Sequence, residues 1–268
     1  MQSINALSLA PDGKDWLANS SHPRILHVFD HACNLINERR EVLSIVTPQI
    51  GNGPFNLVIE DDVLLPDHLT LESPIFVSAH RLILGNLTLC TADVRLWSPR
   101  PDWDVLHAHQ DAILNQLTQL PMINDPPSLP TSLLSAFSAY IATADLSASL
   151  IATQKLAGLG MGLTPAGDDF ILGAVLAAWI IHPTEVASVL AKEVTKTAAP
   201  LTTSLSAAWL RSAGEGAAGI LWHEIFEALI FSDSARIQDA FGRILAIGET
   251  SGADAMAGFL GTMIGQGN

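Results

Sequence analysis

The hydrophobic period of the chain changes near Pro99 and Pro101, and this change constrains the fold more than any other feature of the sequence. Before it, apolar residues come in short runs that alternate with polar ones, which is typical of strands. After it, apolar residues recur at three- and four-residue spacing in stretches rich in Ala and Leu, which is typical of helices. We therefore predict an α+β chain, with a β-rich N-terminal domain packed on a mostly α-helical C-terminal domain.

Prolines divide the chain into three predicted segments. Residues 1–100 form the β-rich domain, residues 101–130 hold one helix and a Pro-rich linker, and residues 131–268 form a helical domain with Gly-rich turns. Within the middle segment, Trp103–Leu120 has helical periodicity, and the prolines that follow it cannot extend that helix. The link between the domains is therefore expected in this segment.

Short apolar runs in the first segment predict seven strands. Gly85 and Asn86 separate two of these runs and are the residues of a two-residue hairpin turn, in which positive φ is needed. In the third segment, eight stretches predict helices, from Ser132–Ala142 to Ala253–Ile264. The predicted strands are Ile25–Phe29, Val42–Thr47, Phe55–Ile59, Ile75–Ser78, Arg81–Leu84, Leu87–Cys90 and Val94–Trp97.

The net charge and the length of the apolar runs limit which partners the protein can bind and where in the cell it is expected. The formal net charge is −14, and the 13 Lys and Arg residues form no cluster, so nucleic acid and anionic membranes do not find the basic surface that they need. The longest apolar run, Phe170–Ile181, is shorter than the roughly 20 residues that cross a bilayer. Met1–Asp15 has no secretory signal, and Cys33 and Cys90 suggest neither a disulfide framework nor a zinc site. We expect a cytoplasmic protein.

The first candidate site is the Gly-rich turn that precedes the most apolar predicted helix. Glycines stand at alternate positions before Thr164 and Pro165, and Thr164 is expected to cap a helix whose first residue is Pro165. A glycine loop of this kind allows close backbone approach and delivers free N–H groups at the positive end of a helix, which favours anions. The predicted phosphate- or substrate-binding residues here are Gly160, Gly162, Thr164 and Gly167.

A second turn, Gly248–Gly258, repeats the pattern. Its Gly248, Thr250 and Asp254 have the same spacing as Gly162, Thr164 and Asp168 in the first turn. Each turn should place a hydroxyl at a helix N-terminus and a carboxylate close to the first helical turn. The predicted binding residues of the second turn are Thr250, Ser251 and Gly252.

The aspartates of the two turns are the predicted catalytic residues. Asp168 and Asp169 are consecutive, so they diverge by about 100° on a helix and cannot both face one small ligand. We expect Asp168 to touch the ligand, because it shares its spacing with Asp254, and Asp169 to position the loop. The alternative is that these aspartates and threonines are ordinary acidic and capping residues of helix starts.

A third segment, from Leu201 to Gly216, adds hydroxyls and a cation. Thr203 and Arg211 are predicted substrate contacts, and Arg211 is the cation of this chain that suits a substrate carboxylate. The alternative for this segment is the ordinary start of a helix rich in Ser and Thr.

The segments Gly158–Asp169, Thr202–Thr203, Leu210–Ala213 and Gly248–Gly252 resemble the family of the AllH-type small subunit of oxamate carbamoyltransferase from bacterial allantoin catabolism, formerly a domain of unknown function. The β-rich first half fits the same pattern, so the resemblance spans nearly the whole chain. It implies a subunit of a heteromeric enzyme that exchanges a carbamoyl group, with oxamate and carbamoyl phosphate on one side and oxalurate and phosphate on the other. Such a complex serves purine degradation.

The implied reaction makes three demands on the site. The enzyme must bind phosphate, polarise the carbamoyl C=O and help to deprotonate an amide nitrogen. We expect the two turns to meet the first two demands and an aspartate to meet the third. No cofactor is certain. Because the chain has few cations, the charge of the anionic substrate is expected to be offset by Arg or Lys of other subunits, or by a divalent metal such as Mg²⁺ on Asp168.

Two alternatives to catalysis by this chain remain open. With 49% apolar and 15% charged residues, the chain has apolar surface to spare, and an obligate interface is expected. It could therefore be a noncatalytic assembly subunit whose glycine turns only pack helices closely. A nucleotide-dependent kinase is disfavoured, because the sequence has no G-x-x-x-x-G-K-[ST] motif.

Overall fold

A computed structural model describes residues 2–60, 62–78, 80–121, 123 and 128–265. Residue contacts divide the chain into two compact units, Met1–Pro99 and Arg100–Asn268. In the described part of the chain, no helix combines the length and the apolar character that crossing a membrane requires. The predicted α+β composition, strand-rich before Pro99 and helical after it, is confirmed.

Within its described residues, the first unit forms one mixed sheet of nine strands with one helix. The strand order is β2-β3-β4-β5-β1-β8-β7-β6, and β9 also pairs with β1. Strand β1 joins the two halves of the sheet, because it is antiparallel to β5 and parallel to β8 and β9. The elements are β1 (Gln2–Leu9), α1 (Pro11–Asn19), β2 (Arg24–Val28), β3 (Ala32–Ile36), β4 (Val42–Val46), β5 (Asn56–Ile59), β6 (Ile75–Ser78), β7 (Arg81–Leu84), β8 (Leu87–Cys90) and β9 (Arg95–Leu96).

All seven predicted strands are present, and three elements were missed. The hairpin turn is confirmed, since Leu84 pairs with Leu87 across Gly85, whose φ is +51°. Strand β1 was missed because Ser and Asn interrupt its apolar positions. Helix α1 was missed because Pro11 and Gly13 are typical of a turn. Gly13 is needed there, since a Cβ at this position would lie 2.4 Å from the Cδ1 atom of Leu9.

The second unit is a bundle of helices around one buried helix. Almost every side chain of α6 is buried, and α2, α4, α7, α8 and α11 pack against it. The helices are α2 (Trp103–Ala108), α3 (Gln110–Leu117), α4 (Thr131–Ala142), α5 (Leu146–Leu156), α6 (Ala166–Ile181), α7 (Thr184–Ala198), α8 (Ser204–Gly214), α9 (Ile220–Ile230), α10 (Ser234–Leu245) and α11 (Ser251–Ile264). The eight helices predicted after residue 131 are present with shifted ends.

The helix predicted as Trp103–Leu120 is two helices, α2 and α3, which join at His109. Both pack into the core of the second unit. The indole of Trp103 stacks on that of Trp179 at 5.8 Å and donates a hydrogen bond to the carbonyl of Gly216. Part of the predicted linker, at residues 122 and 124–127, lies outside the described residues.

Helices α6 and α11 approach each other through a reciprocal pair of glycines. A Cβ on Gly173 would lie 1.7 Å from the carbonyl oxygen of Ala255, and a Cβ on Gly258 would lie 2.0 Å from the carbonyl oxygen of Phe170. Each glycine therefore faces the backbone of the other helix at the equivalent place. Only a residue without a side chain fits at either position.

Candidate active site

The N-terminal ends of α6 and α11 meet, so the structure brings the two predicted turns together. The hydroxyls of Thr164 and Ser251 are hydrogen bonded to each other at 2.7 Å. This contact joins the first turn to the second across 87 positions of sequence. The candidate site lies where these helix ends meet.

The structure aligns the residues of the two turns differently from the alignment that the spacing of Thr164 and Thr250 suggests. Gly167 and Gly252 are equivalent, because a Cβ on either one would lie within about 2 Å of a carbonyl oxygen near the end of the preceding helix, that of Leu156 or Ile244. With this register, which also aligns the reciprocal glycines of the two helices, the partner of Asp254 is Asp169. Helix packing, and not the spacing of the loop threonines, sets the equivalence.

Asp169 and Asp254 are buried with one carboxyl oxygen each left without a partner. Their side chains are 8% and 2% exposed, and the Oδ2 atom of each has no hydrogen-bond donor. The pKa of Asp169 is raised to about 8, chiefly by burial; the hydroxyls of Ser251 and Thr164 lower it, and the charges of Asp254 and Asp168 add to the increase. Burial also raises the pKa of Asp254, against the hydroxyl of Thr250. Burial therefore favours the protonated form of both carboxyls.

Asp168 has a different environment from the one expected of a residue that touches ligand. Its Oδ1 atom accepts the backbone N–H of Gly158 at 2.8 Å, and its Oδ2 atom accepts the hydroxyls of Thr202 and Ser206. These bonds tie the start of α6 to the glycine loop and to the start of α8. Asp168 thus does the positioning that was predicted for Asp169, and Asp169 has the free carboxyl oxygen that was predicted for Asp168.

The donors around Asp168 leave little lone-pair capacity for the metal ion expected on it, because its Oδ1 atom accepts one bond and its Oδ2 atom accepts two. In the ranges that the structure describes, no group of three or more His, Cys, Asp or Glu residues is arranged to hold a metal ion. Thr202 and Ser206 were not singled out as site residues from the sequence. Thr202 lies just before the N-cap of α8 and Ser206 lies in its first turn, and both hydroxyls reach the Oδ2 atom of Asp168.

The glycine loop covers the end of α6 instead of opening it to an anion. Gly160 and Gly162 have φ of +114° and +97°, as the loop prediction requires. However, a Cβ on Gly160 would lie 2.7 Å from the nitrogen of Ala166, so the loop backbone lies over the helix end. The N–H of Gly167 donates to the carbonyl of Leu159 at 2.9 Å. The N–H of Gly167, one of the backbone donors predicted for a phosphate, is thus already bonded within the chain.

The threonine predicted to cap α6 does not cap it. The N-cap is Pro165, without a side-chain hydrogen bond, and Thr164 bonds Ser251 instead. The capping prediction is wrong because Pro165 has an extended backbone and the helix begins one residue later. Thr250 is the N-cap of α11 but also makes no capping side-chain bond. The alternative that these two threonines are ordinary caps therefore does not account for them.

Thr203 and Arg211 are placed apart from the carboxyl pair. Thr203 caps α8 by accepting the N–H of Ser206 at 3.1 Å, and it donates to the carbonyl of Leu163 at 2.5 Å. Arg211 is exposed in the last turn of α8. Within the described part of the chain, no ion pair or hydrogen bond joins the Arg211 guanidinium to Asp169 or Asp254. Its role as a contact of the substrate carboxylate stays a prediction.

The raised pKa of Asp169 predicts a dependence of stability on pH. Between its ordinary value of 3.8 and about 8, the folded chain holds a proton that the unfolded chain has released. The free energy of unfolding should therefore fall as pH rises through this window and level off above it. Asp169→Asn should flatten this slope, because asparagine does not titrate. Urea unfolding of both proteins at several pH values between about 5 and 8 measures it.

Asp254 also titrates in this cluster, so the slope of Asp169→Asn should be reduced and not abolished. The charged or titratable groups that face Asp169 are Asp168 and Asp254. Equal slopes in the variant and the unmodified protein would show that Asp169 is ionised in the folded chain at neutral pH.

Comparisons with known proteins place both units in one family. A family model described as "Oxamate carbamoyltransferase subunit AllH" matches residues 156–263, a range that contains the whole candidate site. A second model, described as "AllH family N-terminal domain", matches residues 5–96. The two matches together cover most of the chain. No solved structure was found to match it.

Proposed function

The chain belongs to the AllH family, and from this premise we propose that it is a subunit of a heteromeric carbamoyltransferase. The reaction converts oxamate and carbamoyl phosphate to oxalurate and phosphate, or runs in the reverse direction, and serves purine and allantoin degradation. The observation that supports a catalytic role for this subunit is the buried pair of Asp169 and Asp254, each with an unpartnered carboxyl oxygen.

The chemistry of transfer needs a group that handles one proton. The oxamate nitrogen attacks the carbamoyl carbon, a C–N bond forms, and the bond from that carbon to the phosphate oxygen breaks, so phosphate leaves with the electron pair. The nitrogen loses a proton in the process. The ionised member of the carboxyl pair accepts this proton.

The hydroxyls near the pair hold it in place. Thr164 and Ser251 bond to each other and also stabilise the ionised form of Asp169. Asp168 anchors the loop above them through Gly158. The chain thus supplies a carboxyl pair on two rigid helices, which is the kind of support that a positioned acid and base require.

A role in assembly has its own support. Large apolar side chains of the site loops are exposed, and Met161 is 93% exposed. The others in these loops are Leu159, Leu163, Leu201 and Ile247. An apolar rim of this kind favours a protein partner. In the second candidate function, the chain is a noncatalytic subunit that docks the catalytic chains through this rim.

Binding of carbamoyl phosphate should depend on the partners. The chain has a net charge of −14, and the α6 N–H groups that could hold an anion are bonded within the chain. We predict that the isolated chain binds carbamoyl phosphate weakly or not at all in calorimetry. Binding should appear when the partner subunits are added, because they bring Arg or Lys.

The same preparations test the proposed function. The reconstituted complex should transfer the carbamoyl group, and the isolated chain should not. Tight binding of carbamoyl phosphate by the purified, metal-stripped chain would contradict the dependence on partners. A complex that transfers the group at an unchanged rate when both Asp169 and Asp254 are replaced would favour the assembly subunit.

A further inference from the structure

The unpartnered Oδ2 atoms of Asp169 and Asp254 point to a ligand that brings hydrogen-bond donors. Both residues are more than nine-tenths buried, and both atoms lack a donor within the chain. A buried acceptor left unpaired costs about 1–3 kcal/mol. Hydroxyls of Thr164, Thr250 and Ser251 already serve the other positions of the two carboxyls. Each carboxyl therefore keeps one oxygen atom without a donor, and the two residues are close enough for the charge of Asp254 to act on Asp169.

A phosphate group does not suit the two unpartnered carboxyl oxygens, because they need hydrogen-bond donors. A phosphate dianion offers acceptor oxygens and negative charge to two carboxyls that already repel each other. At α11, the N–H groups of Gly252 and Asp254 donate to the carbonyls of Ile247 and Thr250, as those of α6 do within their own turn. The first N–H groups of the two helices are therefore already used within the chain and offer little to offset the charge of an anion.

We propose that Asp169 and Asp254 together bind the primary amide group, H₂N–C=O, of the substrates. This inference rests on the proposed function and names the part of the substrate that this chain recognises. Oxamate, oxalurate and carbamoyl phosphate all carry this group, and they differ in the anionic remainder. The carboxylate and phosphate remainders are then held by the other subunits, which supply the cations that this site lacks.

A carboxyl pair that carries one proton is complementary to a primary amide. The ionised carboxyl accepts an N–H, and the protonated carboxyl donates its O–H to the carbonyl oxygen. Burial and the proximity of the two groups favour this singly protonated state, because two adjacent buried carboxylates cannot both ionise at low cost. The pair can thus form hydrogen bonds with both the nitrogen and the oxygen of the amide.

Oxamate and oxalate form a matched ligand pair for the test, because they differ only in an NH₂ group where oxalate has an oxygen anion. In the reconstituted complex, calorimetry should show that oxamate binds at least about ten-fold more tightly than oxalate. Asp169→Ala or Asp254→Ala should reduce this ratio by at least about five-fold, since each variant removes one of the two carboxyls that bind the amide. The affinity for inorganic phosphate should change by less than about two-fold. Asp239→Asn, on the exposed side of α10, serves as the control.

Three results would overturn the inference: a wild-type complex with no preference for oxamate, a ratio that both variants leave unchanged, or a loss of phosphate affinity with the ratio intact. Release of the partner subunits by Asp169→Asn, seen by size-exclusion chromatography, would instead show that the carboxyl pair binds a cation of a partner subunit. This result would also overturn the inference.

Turnover tests the proposed function separately. A complex that prefers oxamate but transfers no carbamoyl group would contradict that function alone, whereas transfer without the preference would contradict only amide recognition.

Discussion

Replacement of Asp169 or Asp254 by asparagine is expected to lower carbamoyl transfer by the assembled complex by about 100-fold or more. Each variant keeps the size of the side chain but cannot exchange a proton. Both residues are buried, and both have a free carboxyl oxygen at the junction of α6 and α11. Steady-state turnover of the reconstituted complex measures the effect. Circular dichroism should show an unchanged helical content.

Asp168 provides the contrast that separates chemistry from architecture. Because its carboxylate accepts bonds from Gly158, Thr202 and Ser206, Asp168→Ala should lower the free energy of unfolding by about 3 kcal/mol. Asp239→Asn should change neither turnover nor stability. If Asp169→Asn and Asp254→Asn both turn over at the wild-type rate, the pair has no part in the reaction.

Replacement of Gly173 by alanine is expected to lower the free energy of unfolding of the chain by about 3 kcal/mol or more. The new methyl group would lie 1.7 Å from the carbonyl oxygen of Ala255 and 2.9 Å from the nitrogen of Phe259. Both atoms belong to the backbone of α11, so no side chain can move aside and the helices must separate. Gly258→Ala should behave in the same way, since it meets the carbonyl of Phe170. Urea unfolding followed by circular dichroism measures the loss.

Gly242 is the matched control, because it also lies in a helix, α10, and an added Cβ would meet no atom within 4 Å. Gly242→Ala should raise the free energy of unfolding by about 0.5–1 kcal/mol through the higher helix propensity of alanine. Wild-type stability in Gly173→Ala would contradict the close approach of α6 and α11.

The broad fold was predictable because hydrophobic periodicity is a local property. The seven predicted strands and eight predicted helices are those whose apolar residues keep one period throughout. Strands β1 and β3 and helix α1 were missed, and the helix after Pro101 was predicted without its break at His109. Local patterns do not contain the tertiary contacts that bury α1 through Trp16 and Gly13.

The candidate site was predictable in its segments but not in its roles. Glycine loops, threonines and aspartates at two helix starts are visible in the sequence, and the structure places them together. The exchange of roles between Asp168 and Asp169 was not visible, because it depends on Thr202 and Ser206 reaching the first of them. The anion-binding expectation overlooked that a flexible loop can bend back and satisfy the helix end with its own carbonyls.

The reciprocal glycine contact has a consequence for the order of folding. Asp169 and Asp254 lie on helices that are far apart in the chain, and the contact between these helices is a long-range one whose loop closure is entropically costly. Individual helices can form early, but the carboxyl pair exists only after α11 has docked on α6. A folding intermediate that lacks this docking step would have nearly complete helical circular dichroism and no site. The ability of the refolding chain to restore transfer in the reconstituted complex should therefore recover later than its helix signal.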